Sequence, residues 1–176
     1  MKKDNLELEI KNLVEKFINH LNKEKKEIFL ISHFDTDGIT SAAIMIQTLK
    51  KLDATFSVRI IKSLNKEFIE NLPKDKTILF LDLASGSLDY LGVCGIENIF
   101  IIDHHEISQE IPKNVHLLNP VLCEDNQKIS TSGLVYLFCK EIDQSNKEFA
   151  KLAILGMIGD QLEKEIDILN NGVIED

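Results

Sequence analysis

Arginine is nearly missing from this chain of 176 residues: Arg59 stands alone beside nineteen lysines. Acidic residues outnumber basic ones by 29 to 20, for a formal charge of −9. A free-standing nucleic-acid binder normally carries a basic face. Guanidinium is also the better group for clamping phosphate in two-pronged fashion. Any grip on phosphate here is therefore expected to come from metal ions, which would also neutralise clustered carboxylates. Part of the negative balance has a plainer source, because Asp160–Asp176 holds six acids and one lysine. The three cysteines, Cys94, Cys123 and Cys139, have no Cys-x-x-Cys spacing. That disfavours a disulfide framework or a cysteine zinc site and makes a reducing cytoplasm the default expectation. Prolines number three, so no long linker is visible, and there are no internal repeats. No apolar run reaches membrane-spanning length and no signal-type stretch opens the chain, so no membrane role is expected.

What is present is ordinary globular material, 44% apolar and 28% charged. Leu6–Leu21 carries apolar residues at helical spacing. Short apolar runs then alternate with helical stretches. Ile28–Ile31, Ala54–Ile61, Thr77–Leu81, Asn98–Ile102 and Val115–Leu118 read as strands. Ile39–Leu52, Lys66–Leu72, Thr131–Ile142 and Lys147 to about Leu169 read as helices. The alternation predicts a doubly wound α/β fold, with a mostly parallel sheet of about five strands flanked by helices.

Ionisable residues gather just past the ends of these runs. His33-Phe34-Asp35-Thr36-Asp37-Gly38 follows the first strand, Asp82 the third, and Asp103-His104-His105 the fourth. Ligands of open α/β sheets bind at the carboxyl ends of the strands. A fifth aspartate, Asp160, sits in the apolar, glycine-flanked stretch Gly156–Asp160, where a carboxylate needs a partner. Five aspartates and three histidines at one edge exceed the needs of one ion. Oxygen with imidazole suits Mn²⁺ or Mg²⁺, or a zinc-like ion, and two ions sharing a carboxylate would serve phosphoester hydrolysis. Alternate residues of an extended Asp35-Thr36-Asp37 would face the site together. Gly38 would permit the turn into the helix, and the N–H groups of Gly38, Ile39 and Thr40 would be placed to receive phosphate. Each feature alone is ordinary: Asp-x-Asp-Gly is also turn or calcium-loop chemistry. Ser130-Thr131-Ser132 reads equally as a helix cap or a substrate contact. His20 and His116 read as structural.

At these residues the sequence resembles the DHH phosphoesterase superfamily, over Ile28–Leu162. Four motifs carry the resemblance in order: Ile31–Ala42, Asp82 within Leu81-Asp82-Leu83, Ile101–His105, and Gly156–Asp160. Leu118-Asn119-Pro120 and Ser130–Leu134 resemble the connection between the third and fourth. The RecJ-like single-strand exonucleases and small-oligonucleotide phosphodiesterases are the most similar subgroup.

The resemblance implies that His33, Asp35 and Asp82 hold one Mn²⁺, with Mg²⁺ an alternative. Asp37, Asp82, His104 and Asp160 would hold a second, with Asp82 bridging. It implies that His105 meets the scissile phosphate, that Asp103 orients the histidines, and that Gly38, Ser130 and Ser132 lie on the substrate side. The implied activity is two-metal hydrolysis of single-stranded DNA or RNA from the 5′ end, or of short oligonucleotides. The alternatives are a replication-associated scaffold or partner-dependent half-enzyme, a manganese pyrophosphatase, and a cyclic-dinucleotide phosphodiesterase. Residues 1–27 are expected to form a helix packed on the domain, 28–162 the phosphoesterase domain, and 163–176 an acidic helix or tail resembling an interdomain connector. Family enzymes usually continue into a second, substrate-gripping domain. No counterpart follows the fourth motif here, so a further domain or a partner is expected to supply it.

Overall fold

The structure is a computed structural model and describes residues 5–124, 127–160 and 173–174. Eleven elements position the site. They are α1 (Leu6–Glu24), β1 (Ile28–His33), α2 (Thr36–Lys51), β2 (Phe56–Ile61), α3 (Lys66–Glu70), β3 (Thr77–Leu81), α4 (Leu88–Val93), β4 (Ile99–Ile102), β5 (Val115–Leu118), α5 (Thr131–Ile142) and α6 (Ala150–Gly159). The strands form one sheet in the order β2-β1-β3-β4-β5, and every pairing is parallel. Strand order reverses between β1 and β3, which opens a crevice at their carboxyl ends.

Both faces of the sheet are covered, which is why its strands read as continuous apolar runs. Side chains alternate between the faces. Leu30, Leu79, Leu81, Phe100 and Ile102 meet α1, α2, α5 and α6 on one face, while Ile31, Ile78, Phe80, Ile99 and Ile101 meet α3 and α4 on the other. Phe17 of α1 sets its ring edge-on against Phe100, 5.1 Å between centroids, and Phe138, 5.6 Å. This seats the N-terminal helix on the sheet. Val173 is fully buried in the same core.

β3, β5 and α5 have the bounds the sequence predicts. α2 begins at Thr36 rather than Ile39, because Asp35 caps it by accepting the Gly38 N–H at 2.9 Å. α4 was not expected, and at six residues it is too short for a periodicity signal. α6 starts at Ala150 after a 3-10 stretch, Gln144–Phe149. The continuation expected toward Leu169, and the acidic tail of 163–176 except Val173 and Ile174, lie outside the described residues. No helix among the described residues is long and apolar enough to cross a membrane.

His20 and His116 lie at the amino ends of the strands, away from the metal-type residues. His20 Nε2 meets Thr77 Oγ1 at 2.8 Å, and His116 Nε2 meets Asn98 Oδ1 at 3.2 Å. Their rings flank Phe100 at 5.4 and 4.9 Å. Burial pushes both imidazoles below their ordinary pKa. The unfolded chain therefore takes up protons near pH 6.5 that the folded chain resists, and stability is lost as pH falls through that region. Thermal denaturation between pH 7.5 and 5.5 should show a smaller loss for His116→Gln than for the parent protein.

Candidate metal centre

Each strand on either side of the crevice delivers its polar residue by a different device. β1 ends at His33. Just before it, the buried Ser32 hydroxyl donates to the carbonyls of Gly38, at 2.7 Å, and Leu81, at 3.2 Å, tying the start of α2 to the end of β3. Gly38 is needed for close approach. A Cβ there would overlap the His33 carbonyl, so the first turn of α2 lies directly on the end of β1. Asp35 Oδ2 then meets His33 Nδ1 at 2.7 Å, while His33 Nε2 meets the Lys62 carbonyl at 3.1 Å. Burial pushes the Asp35 carboxyl up, but the Gly38 N–H, Asp82 and His33 outweigh it, so its pKa is lowered.

Asp37 is fully buried, and the first turn of α5 holds it. Its Oδ2 accepts the Thr131 N–H at 2.7 Å and its Oδ1 the Ser132 N–H at 2.8 Å. Helix N-termini present such unpaired donors and favour negative charge. Asp82 follows β3 with φ +61°, a left-handed conformation uncommon for aspartate, and is 2% exposed. Its Oδ1 accepts the Thr131 hydroxyl at 2.9 Å. Its Oδ2 is buried with no hydrogen-bond donor, 3.4 Å from His33 Nδ1. Burial, with Asp37 and Asp35 nearby, pushes its carboxyl up to about 10.

After β4, Asp103 is wholly buried. Its Oδ2 accepts the Ser85 N–H at 3.0 Å. Its Oδ1 accepts the His104 N–H at 2.8 Å and faces His105 Nδ1 at 2.7 Å. Burial opposes ionisation, but His105 and Ser85 outweigh it and hold the carboxyl low. The same contact, against opposing burial, raises the His105 pKa.

Asp160 caps the C-terminus of α6, and two glycines bring it in. A Cβ on Gly156 would overlap the Ser132 and Thr40 hydroxyls, and one on Gly159 would lie 2.6 Å from Thr36 Cβ. Only a near-bare helix surface reaches this junction. Asp160 Oδ2 lies 3.1 Å from His104 Nε2, and burial, then Asp37, lifts its carboxyl to about 6, against the pull of His104.

The candidate ligand atoms form three groups, mutually within 4.8 Å: His33, Asp35 and Asp82; Asp37, His104 and Asp160; and Asp82, His104 and His105. Asp82 and His104 each appear twice, so the groups are contiguous. The residues fit divalent ions on two observations. Asp82 Oδ2 is an orphaned buried acceptor, and His33 has an oxygen at each ring nitrogen. A cation resolves both.

The substrate-side expectations come out differently. The N–H groups of Gly38 and Ile39 are spent on Asp35, at 2.9 Å each, so neither is open to phosphate. Ser130 is the cap of α5, accepting the Gly133 N–H at 3.1 Å. Ser132 Oγ donates to the Ala153 carbonyl at 3.0 Å. Both serines are 0% exposed and face the core. Ser85 is not signalled by the sequence, and Thr131 and Asn119 stand in segments it singles out but with contacts it does not disclose. Asn119 Nδ2 donates to the His105 carbonyl at 2.8 Å and to Ser85 Oγ at 3.2 Å. The hydroxyl trio at 130–132 was a visible signal. Its carboxylate partners, 94 and 49 residues away along the chain, were not.

The profile described as "DHH family, N-terminal domain" matches residues 27–157, and the chain belongs to this family. A protein of Methanocaldococcus jannaschii is 30% identical, with the match covering 94% of this chain and 39% of that protein. A Bacillus subtilis protein, YorK, carries the name of a prophage-derived single-strand DNA-specific exonuclease. It is 30% identical over 83% of this chain and 27% of its own length. The chain thus spans well under half of these relatives. The crystal structure of exonuclease RecJ bound to manganese superposes with a TM-score of 0.79 at 20% identity, covering 99% of this chain and 47% of that one. This likeness shows that the two share the fold.

Proposed function

We propose that this DHH domain is a divalent-metal-dependent phosphodiesterase acting on single-stranded nucleic acid or short oligonucleotides. The observation that carries the reading is Asp82, buried with its Oδ2 orphaned and shared by two of the three ligand groups. His33, Asp35 and Asp82 would hold one Mn²⁺ or Mg²⁺, and Asp37, His104 and Asp160 a second, with Asp82 shared. When bound, such ions supply Lewis acidity toward a phosphodiester and a nucleophile at neutral pH. Asp103 fixes the His105 ring through Nδ1, which turns Nε2 toward the crevice as a donor for a phosphate oxygen. The raised pKa of His105 favours that protonated form. Asn119 holds the His105 backbone from behind. The nucleic-acid substrate is supported by the name of the Bacillus subtilis relative.

The test is hydrolysis of a 5′-labelled single-stranded oligonucleotide and of a dinucleotide, with Mn²⁺ and with EDTA. Product that forms only with metal supports the reading, and its ladder sets the substrate length. Metal-independent product, or none with Mn²⁺ bound, overturns it. His105→Ala should keep the rise in Tm caused by Mn²⁺ and lose about 10²- to 10⁴-fold in turnover. A lost Mn²⁺ response would make His105 a ligand, as its place in the third group allows.

A further inference from the structure

Beside the centre lies a cleft of about 300 Å³, within the range of small-ligand sites, between the ends of β1, β3 and β4. His33, Lys62, Ser63, Asp82, Ser87 and His105 are among its lining residues. Its other charged walls, Asp103 and Glu106, are acidic, so Lys62 is its one ammonium among the described residues. Arg59 cannot serve, because its guanidinium covers the Phe68 ring at 5.1 Å.

Phe34, 48% exposed, follows His33 in sequence, and its ring lies beside two residues that line the cleft, His33 and Lys62. Scattered exposed apolar residues need no explanation, but this ring is held in place. The His33 ring meets it edge-on, 4.9 Å between centroids, and the Lys62 ammonium lies 6.0 Å from its centre. The Lys62 backbone is itself fastened to His33 Nε2. A half-exposed aromatic in a fixed orientation, beside an ammonium and a metal-type centre, combines the two parts from which single-strand sites are built.

The geometry points to Phe34 as a stacking platform for the base adjoining the scissile phosphodiester, with Lys62 neutralising the neighbouring phosphate. This rests on the phosphodiesterase reading and deepens it. Every base has a π-face, so the site is tolerant of sequence. A base held in a duplex stack cannot lie on it, so the site selects unpaired ends.

The test uses the full chain, with Mg²⁺ and an oligodeoxynucleotide carrying 2-aminopurine at successive positions from its 5′ end. Fluorescence is quenched where the probe base stacks. Quenching at one position, lost in Phe34→Ala and Phe34→Leu and kept in Phe34→Tyr, supports the platform. Leu preserves apolar bulk against His33, and the Mg²⁺-induced shift in Tm should be unchanged in all three. Affinity should fall roughly 5- to 150-fold in Phe34→Ala. That loss should vanish on an oligonucleotide lacking the base at the quenched position. Quenching indifferent to Phe34, or none in the parent protein, overturns the platform. Bis(4-nitrophenyl) phosphate, which carries no base, tests the chemistry separately. Its metal-dependent hydrolysis without quenching sinks the platform and leaves the phosphodiesterase reading. Quenching without hydrolysis overturns the phosphodiesterase reading and leaves Phe34 only as a base-stacking surface, with no scissile bond beside it.

Discussion

Asp82→Asn should yield a folded protein that no longer gains stability from Mn²⁺ and turns over more than about 100-fold slower, beyond the usual cost of losing an outer partner. Asparagine keeps the shape and an acceptor for Thr131, removes the charge, and puts an amide NH₂ where the orphaned oxygen stood. Without metal that charge is a liability. The carboxyl is pushed up to about 10 by burial and by Asp37 and Asp35, so in the apo-protein near neutral pH it carries its proton. The unfolded chain releases that proton near pH 4. Between these values the folded state binds more protons, so apo-protein stability falls as pH rises. Asp82→Asn should flatten this decline, and thermal denaturation in EDTA from pH 6 to 9 measures the difference. The opposite pairing, a steeper decline with the Mn²⁺ response intact, would remove Asp82 from the proposed bridging place.

Asp37→Ala should be destabilising whether or not metal is present. Its carboxylate is a proposed ligand, but it is also the anchor for α5. Both oxygens accept backbone N–H groups of that helix inside the core. Alanine leaves two buried donors unpaired where a charge stood. Bonds to charged groups contribute about 1.5–3 kcal/mol each, so a loss of about 3–6 kcal/mol is expected for the two. For a chain of this size that is a fall in Tm of roughly 10 °C. Calorimetry in EDTA isolates this term from metal binding. An unchanged Tm in EDTA would show that the contact contributes nothing.

Much of this was legible from residue order because it is local. Buried parallel strands advertise themselves as apolar runs, so β3 and β5 could be read to the residue. The placement of His33 at the end of its strand, and of Asp82 and Asp103 just past theirs, follows from the same reading. Roles created by the tertiary fold were not legible. The start of α2 was misplaced because Asp35 looked like a site residue and is also a cap. Gly38 looked like a turn or a phosphate cradle, and its necessity is contact with His33. Ser130-Thr131-Ser132 reads equally as a cap or a substrate contact, and the structure makes Ser130 the cap and packs Ser132 against α6. The hydroxyl trio points to Thr131 but not to what it binds, because its two partners come from distant segments.

The amides of Thr131 and Ser132 have a use beyond holding Asp37. They donate to a carboxylate at the centre while belonging to a helix whose other amides do not, so they sense the electron density on that carboxylate through a single hydrogen bond. In a nitrogen–proton correlation spectrum these two resonances should move on titration with diamagnetic Mg²⁺, while those deeper in α5 stay in place. The fold thus carries its own reporter of occupancy, readable without substrate or turnover.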